Sequence, residues 1–149
     1  MANFAPLLVI FVLLASSGNR IVGTDIVQGR LPPCPETPNC VSSQSSDKKH
    51  AIAPLRYEGR MEEAGQRLLE VIKAQEQAST FRIRGNHIHA EFTSSFLRFV
   101  DDVNFVFDDN AKIIHVRSAS RVGYFDLGVN RRRIEKIRSQ FDHPSKGGN

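Results

Sequence analysis

The densest chemistry in this sequence lies between Val116 and Arg133, where Arg117, Ser118, Ser120, Arg121, Asp126, Asn130 and Arg131 follow one another closely. The segment reads as a strand end, a glycine-punctuated loop and the start of a helix. Asn130 is placed as the N-cap, its side-chain oxygen accepting from a first-turn N–H. Arg131, Arg132 and Arg133 then stand where the helix dipole is positive, which costs about 0.3 to 1 kcal/mol for each exposed cation. A violation of local preference calls for a compensating anion. Asp101, Asp102 or Asp126 supply it internally, or a bound carboxylate, phosphate or sulfate does, held by first-turn N–H groups and by guanidinium forks from Arg121 or Arg131.

A second cluster is spread along alternating positions. His87, His89 and Glu91 emerge on one side of a strand, and His115 joins them from a neighbour. His-x-His with a nearby carboxylate suits a metal, yet the same pattern marks the solvent side of any half-buried strand; no metal is assigned. Ser42, Ser43, Ser118, Ser120 and Cys40 are available nucleophiles, and His89 or His115 available bases. No nucleophile elbow, P-loop or His-Glu-x-x-His helix accompanies them. Gly123 and Gly128 lack dinucleotide-binding spacing, so no cofactor is assigned. A hydrolase built on the same polar residues, with Asp101 or His89 as base, is the alternative reading.

Cys34 and Cys40 are the two cysteines and flank Pro35 and Pro38. In an exported chain a close even pair reads as a disulfide, and closing so short a loop stabilises by roughly 2 kcal/mol. Two free thiols, or a reactive Cys40, are the other readings.

Export itself is read from the beginning of the chain. Residues 4–15 are an uncharged apolar run followed by Ser16, Ser17 and Gly18, the pattern of a secretory signal. As a helix the run covers roughly 18 Å, short of the roughly 30 Å hydrocarbon core. Uncleaved, it becomes an N-terminal tether, and that is the membrane contact the sequence predicts. The net charge of +4 comes from 20 Lys and Arg against 16 Asp and Glu, too evenly matched for a phosphate-tracking surface, and no nucleic-acid partner is expected.

The elements that position these groups follow from periodicity. Residues 19–50 are dense in Gly, Pro and Ser and read as a linker and Cys-containing loop. Ile52 to Tyr57 reads as a short edge strand, because Pro54 cannot donate to a ladder. Met61 to Gln75 is an amphipathic helix with Ala64, Leu68, Leu69, Val71 and Ile72 near one side. Phe81 and Ile83 alternate with arginines up to Gly85-Asn86, a tight-turn dipeptide, and Ile88, Ala90 and Phe92 alternate beyond it. Val103, Phe105 and Phe107 form a third strand face, Lys112 to Ser120 a fourth, and a helix from about Asn130 closes the chain. The prediction is an α+β fold: an antiparallel sheet of about four to five strands, two helices packed on one face, a single domain over 51–143 and a polar tail over 144–149.

Several of these stretches also carry a family likeness. Cys34-Pro-x-x-Pro-Asn-Cys-Val-Ser-Ser-Gln44, His89-Ala-Glu-Phe92, Phe96-Leu-Arg-Phe-Val-Asp-Asp-Val103, Ile114-His-Val-Arg-Ser-Ala-Ser-Arg-Val-Gly-Tyr124 and Asp126-Leu-Gly-Val-Asn-Arg131 together resemble the DUF1499 family, from about Cys34 to Phe141. The resemblance implies a small exported, lipoprotein or lumenal protein, with no activity assigned. Together these readings place a polar site at Arg98, Asp101, Asp102, Arg117, Ser118, Ser120, Arg121, Asp126, Asn130 and Arg131. It is expected to serve an anionic small molecule or a component of the cell envelope, with a structural protein–protein role as the third class.

Overall fold

Alternating apolar side chains make a sheet with one dry face, and an apolar helical stripe must be laid against that face. The computed structural model describes residues 26, 29–94 and 98–144 and has this arrangement. The apolar N-terminal run, the polar tail beyond Pro144, and Phe96 and Leu97 of the family motif lie outside the described residues.

In chain order the elements are β1 (Cys40–Ser42), β2 (Leu55–Arg56), α1 (Met61–Lys73), β3 (Ala78–Arg84), β4 (His87–Thr93), β5 (Val100–Asp108), β6 (Ile113–Ser120) and α2 (Val129–Asp142). The sheet runs β1-β6-β5-β4-β3, with β2 paired to the beginning of β6, and every pairing is antiparallel. The α+β class stands, with six strands rather than four or five.

Ile88, Ala90 and Phe92 of β4, Val103, Phe105 and Phe107 of β5, and Ile114 and Val116 of β6 form one face. Ala64, Leu68 and Ile72 of α1 and Ile134, Ile137 and Phe141 of α2 pack on it as a single cluster. Truncating a fully buried phenylalanine such as Phe105 to alanine costs about 3 to 5 kcal/mol. The guanidinium of Arg67 lies 4.3 Å from the centre of the Phe141 ring and joins the two helices at their edges.

The linker reading of residues 19–50 gives way in its second half. β1 is a buried strand of the sheet, with Cys40 opposite Ala119 and Ser42 opposite Arg117. Before it, residues 29–36 run as an arm over the second face of the sheet. The Gln44 amide clamps the arm on both sides of Arg30, accepting from Leu31 N at 2.8 Å and donating to Gly29 O at 3.1 Å. Leu31 is buried there, and Cys34 is bonded to Cys40 with their Cα atoms 5.7 Å apart. Side-chain clamps and a covalent link hold the arm without a regular ladder, which is why its composition reads as loop.

As a result the second face is polar but largely dry. His89, Asn104 and Arg117, which follow one another across β4, β5 and β6, are all buried.

Candidate functional site

The N-terminus of α2 does hold an anion, and the chain supplies it. Gly128 precedes the helix in the left-handed region at φ 75°, so the chain doubles back and brings Asp126 under the first turn. The Asp126 carboxylate accepts from Gly128 N at 2.8 Å and Asn130 N at 3.0 Å. Burial pushes its pKa up, but these bonds outweigh that and hold it below the usual carboxylate range. Asn130 is therefore not the N-cap that the sequence suggested: Gly128 holds that position without a side chain, and Asp126, four residues before Asn130, accepts the first-turn N–H instead.

Freed from capping, Asn130 is fully buried and acts as a hub. Its amide donates to Asn39 O, Ser120 Oγ and Asp126 Oδ2 at 2.9 to 3.1 Å, and its oxygen accepts from Ser118 Oγ and from Arg133 Nη1. Ser118 and Ser120 are thereby hydrogen-bonding partners of the hub. The three arginines that follow are answered internally as well. Arg131 donates to Ala51 O at 2.9 Å and Lys49 O at 3.2 Å, and Arg132 to Leu127 O at 2.6 Å. Arg133 pairs with buried Asp101 and lies 4.7 Å from the centre of the Phe92 ring. The sequence reading passed over Arg133 in favour of Arg131; an arginine one turn inside a helix, on the same side as Asn130 and Ile134, is the signal that points to it.

On the opposite face of the sheet, β4 and β5 bring Glu91 opposite Asp102. Arg121 spans both, with Nε to Asp102 Oδ2 at 2.7 Å and Nη2 to Asp102 Oδ1 and Glu91 Oε1 at 2.8 and 2.6 Å. His89 Nε2 meets the same Asp102 at 2.8 Å. Burial raises the Asp102 pKa, but Arg121 and His89 more than reverse this and hold it far below the usual range. The Arg121 guanidinium is correspondingly held in its charged form. The ligand atoms of His89, Glu91 and Asp102 lie within 4.8 Å of one another, as metal ligands would. Arg121 supplies positive charge to both carboxylates, and Arg82 lies 3.8 Å from Glu91.

Arg117 stands apart. It is 9% exposed, and among the described residues its side chain makes one hydrogen bond, a 3.4 Å contact from Nη2 to Pro33 O on the arm, while its Nε is buried without an acceptor there. Desolvation lowers its pKa, offset by the more distant Asp102. A guanidinium has five N–H donors, and a buried one without a carboxylate beside it is costly. Its cross-strand neighbour Ser42 and its same-face neighbour His115 line a cleft of about 740 Å³ between the arm and the loop following β1. In that cleft Ser43 Oγ lies 3.3 Å from His115 Nδ1 and also accepts Val116 N at 2.9 Å. Arg98 is exposed and separate from all of these; no side-chain partner is found for it among the described residues. The ten residues expected at one site thus divide among an α2 hub, an Arg121 cluster, a lone buried Arg117 and an outlying Arg98.

A family model described as a protein of unknown function, DUF1499, matches residues 30–141 of the 149-residue chain. The chain belongs to the DUF1499 family. No curated protein and no solved structure matches it. The DUF1499 match begins on the arm and ends at the last core residue of α2, so the cystine, the cleft and Arg117 all fall within the family unit. The two DUF1499 stretches that read most distinctively in the sequence, Cys34 to Gln44 and Ile114 to Tyr124, are brought together by the β1–β6 pairing, which sets Ser42 opposite Arg117.

Proposed function

We propose that this protein is an exported binding domain that takes an anionic group, a carboxylate, phosphate or sulfate on a small molecule or envelope component, at Arg117. The observation that carries this reading is the buried Arg117 guanidinium. Asp101, Asp102, Asp126 and Glu91 are committed to Arg133, Arg121, the α2 N-terminus and Arg121 in turn. Arg117 has only a long contact to a carbonyl. An arriving oxyanion replaces that contact with charge-assisted, two-pronged bonds. The neighbouring cleft, lined by Ser42, Ser43, His50 and His115 but not by Arg117 itself, offers further hydrogen bonds on the approach.

The test is calorimetry and thermal unfolding against a panel of phosphate, sulfate and short carboxylates. A saturable ligand should raise the melting temperature of the wild type and of Arg131→Met, and leave Arg117→Met unmoved. If no anion in the panel shifts the wild type, the reading is lost.

A second reading rests on the Ser43–His115 contact, which places a nucleophile and a base within hydrogen-bond reach in the same cleft. It makes the protein an acyl-transfer hydrolase acting on an acidic substrate. Labelling of wild type but not Ser43→Ala by a fluorophosphonate supports it; absence of labelling leaves binding alone.

A further inference from the structure

The end of the sheet where β5 begins and β6 finishes carries a different kind of surface. The loop between β6 and α2 points apolar side chains outward: Val122 is 53% exposed, Tyr124 60%, Phe125 72% and Leu127 84%. Val129 extends the patch onto α2. Phe99 is exposed on the neighbouring loop, which is tied to this one by the bond from Arg121 N to Val100 O at 3.0 Å. Soluble proteins scatter single exposed apolar residues; a contiguous group of six marks a contact surface.

The loop is built to hold this shape. Asn39 Nδ2 donates to Gly123 O at 2.7 Å, Asp126 grips the first turn of α2, and Arg132 donates to Leu127 O. Tyr124 and Phe125 brace each other edge to face with ring centres 4.7 Å apart. Leu127 sits at φ 52°, in the left-handed region that favours glycine or asparagine, so backbone preference gives no reason for a leucine at the most exposed point.

Charge around the patch leans positive. Arg98, Arg132 and Lys136 are exposed beside it, against Glu76 near Arg132 and Lys136 and Glu135, whose carboxylate is paired with Arg138 at 3.0 Å. Between Arg121 and Ile134 the chain has one acidic residue, Asp126, and its carboxylate is turned inward onto backbone N–H groups. Aromatic and aliphatic side chains on a convex loop, rimmed by cations, match the headgroup boundary of an anionic bilayer, which admits protruding side chains without needing a shaped cavity.

We infer that the 122–129 loop docks this domain onto an anionic phospholipid surface, with Phe125 and Leu127 entering the acyl boundary and Arg98, Arg132 and Lys136 meeting the headgroup phosphates. The sequence placed membrane contact in the N-terminal run; this loop is a second contact, at the end of the sheet. It is separate from Arg117 and stands whether or not that site binds an anion.

The chain contains no tryptophan, so Phe125→Trp installs a single indole at the loop tip. Because the indole is on the loop, it reports insertion there and not at the N-terminal run. With vesicles containing phosphatidylglycerol its emission should shift to the blue, and with phosphatidylcholine alone it should stay in place. Adding Leu127→Asp should weaken the titration by roughly tenfold or more. Lys136→Glu should weaken it by roughly fivefold or more, with the effect growing at low salt. Both positions are exposed, so the variants keep the fold, checked by circular dichroism. An unmoved indole with both vesicle types overturns the inference, as does an equal shift with both. So does sedimentation as a dimer that Leu127→Asp dissociates, which would assign the patch to a second copy of the chain.

Discussion

Arg121 lies edge-on against Asp102, with Nε and Nη2 each 2.7 to 2.8 Å from a separate carboxylate oxygen, and it ties the end of β6 to the middle of the sheet. It also reaches Glu91, so two strands depend on one guanidinium.

Arg121→Ala should therefore leave Asp102 facing Glu91 with Arg82, 3.8 Å from Glu91, as the remaining nearby guanidinium. Arg121 is one-third exposed, which discounts the pair's strength, and the loss should be about 1 to 2 kcal/mol in urea denaturation. An unchanged midpoint would mean that the pair contributes only geometry.

Asn130→Ala should be far more damaging. It strips partners from buried Ser118, from Arg133 and from Asn39 O at once, a loss of about 3 kcal/mol by the cost of unsatisfied buried groups. Arg131→Ala, which removes only two carbonyl contacts, should cost less than half as much. Equal losses in the two variants would contradict the hub.

Breaking the cystine should free the arm. In Cys34→Ser the Gln44 clamp and the burial of Leu31 remain, but the tether to β1 is gone. Stability should fall by about 2 kcal/mol and limited proteolysis within residues 29–36 should quicken, while the helix content stays constant by circular dichroism. An arm as resistant as in the wild type would show that Gln44 alone secures it.

Acid should destabilise the protein in two stages. His87 is held below its ordinary 6.5, chiefly by desolvation, with His89 and Arg84 adding repulsion against the bond that its Nε2 donates to Asn104 Oδ1. The unfolded chain then binds the proton more readily, so stability present above pH 6.5 falls as pH drops below it. Asp102, whose folded pKa lies under its ordinary 3.8, adds a second loss as pH falls below that value. Melting temperatures measured from pH 8 downward should show both stages, the upper one absent in His87→Gln.

Periodicity carried the fold. Phe81 and Ile83, then Ile88, Ala90 and Phe92, announce a hairpin about Gly85-Asn86, and the structure has it as β3 and β4. The apolar stripe of α1 was equally plain. β1 was hidden because a three-residue strand between a proline-rich loop and a serine run has too little alternation to register, and its partner lies nearly eighty residues away in β6. In the site, the paired charges were legible as types and not as pairs. Nothing in the order of residues says that Arg121 would meet Asp102, or that Arg133 would meet Asp101, because register across β4, β5 and β6 decides both. The same long-range pairing placed Pro33 over Arg117, and no local signal announces it.

The first strand of the sheet finds its place only against the last one. Residue 40 waits for residue 119, so the edge of the sheet is completed after almost the whole chain has been made, and the arm can settle only then. Contacts so remote in sequence slow the search for the native state. A nascent chain stopped anywhere before β6 would present β5 with an unpaired edge, the kind of surface on which wrong pairings start.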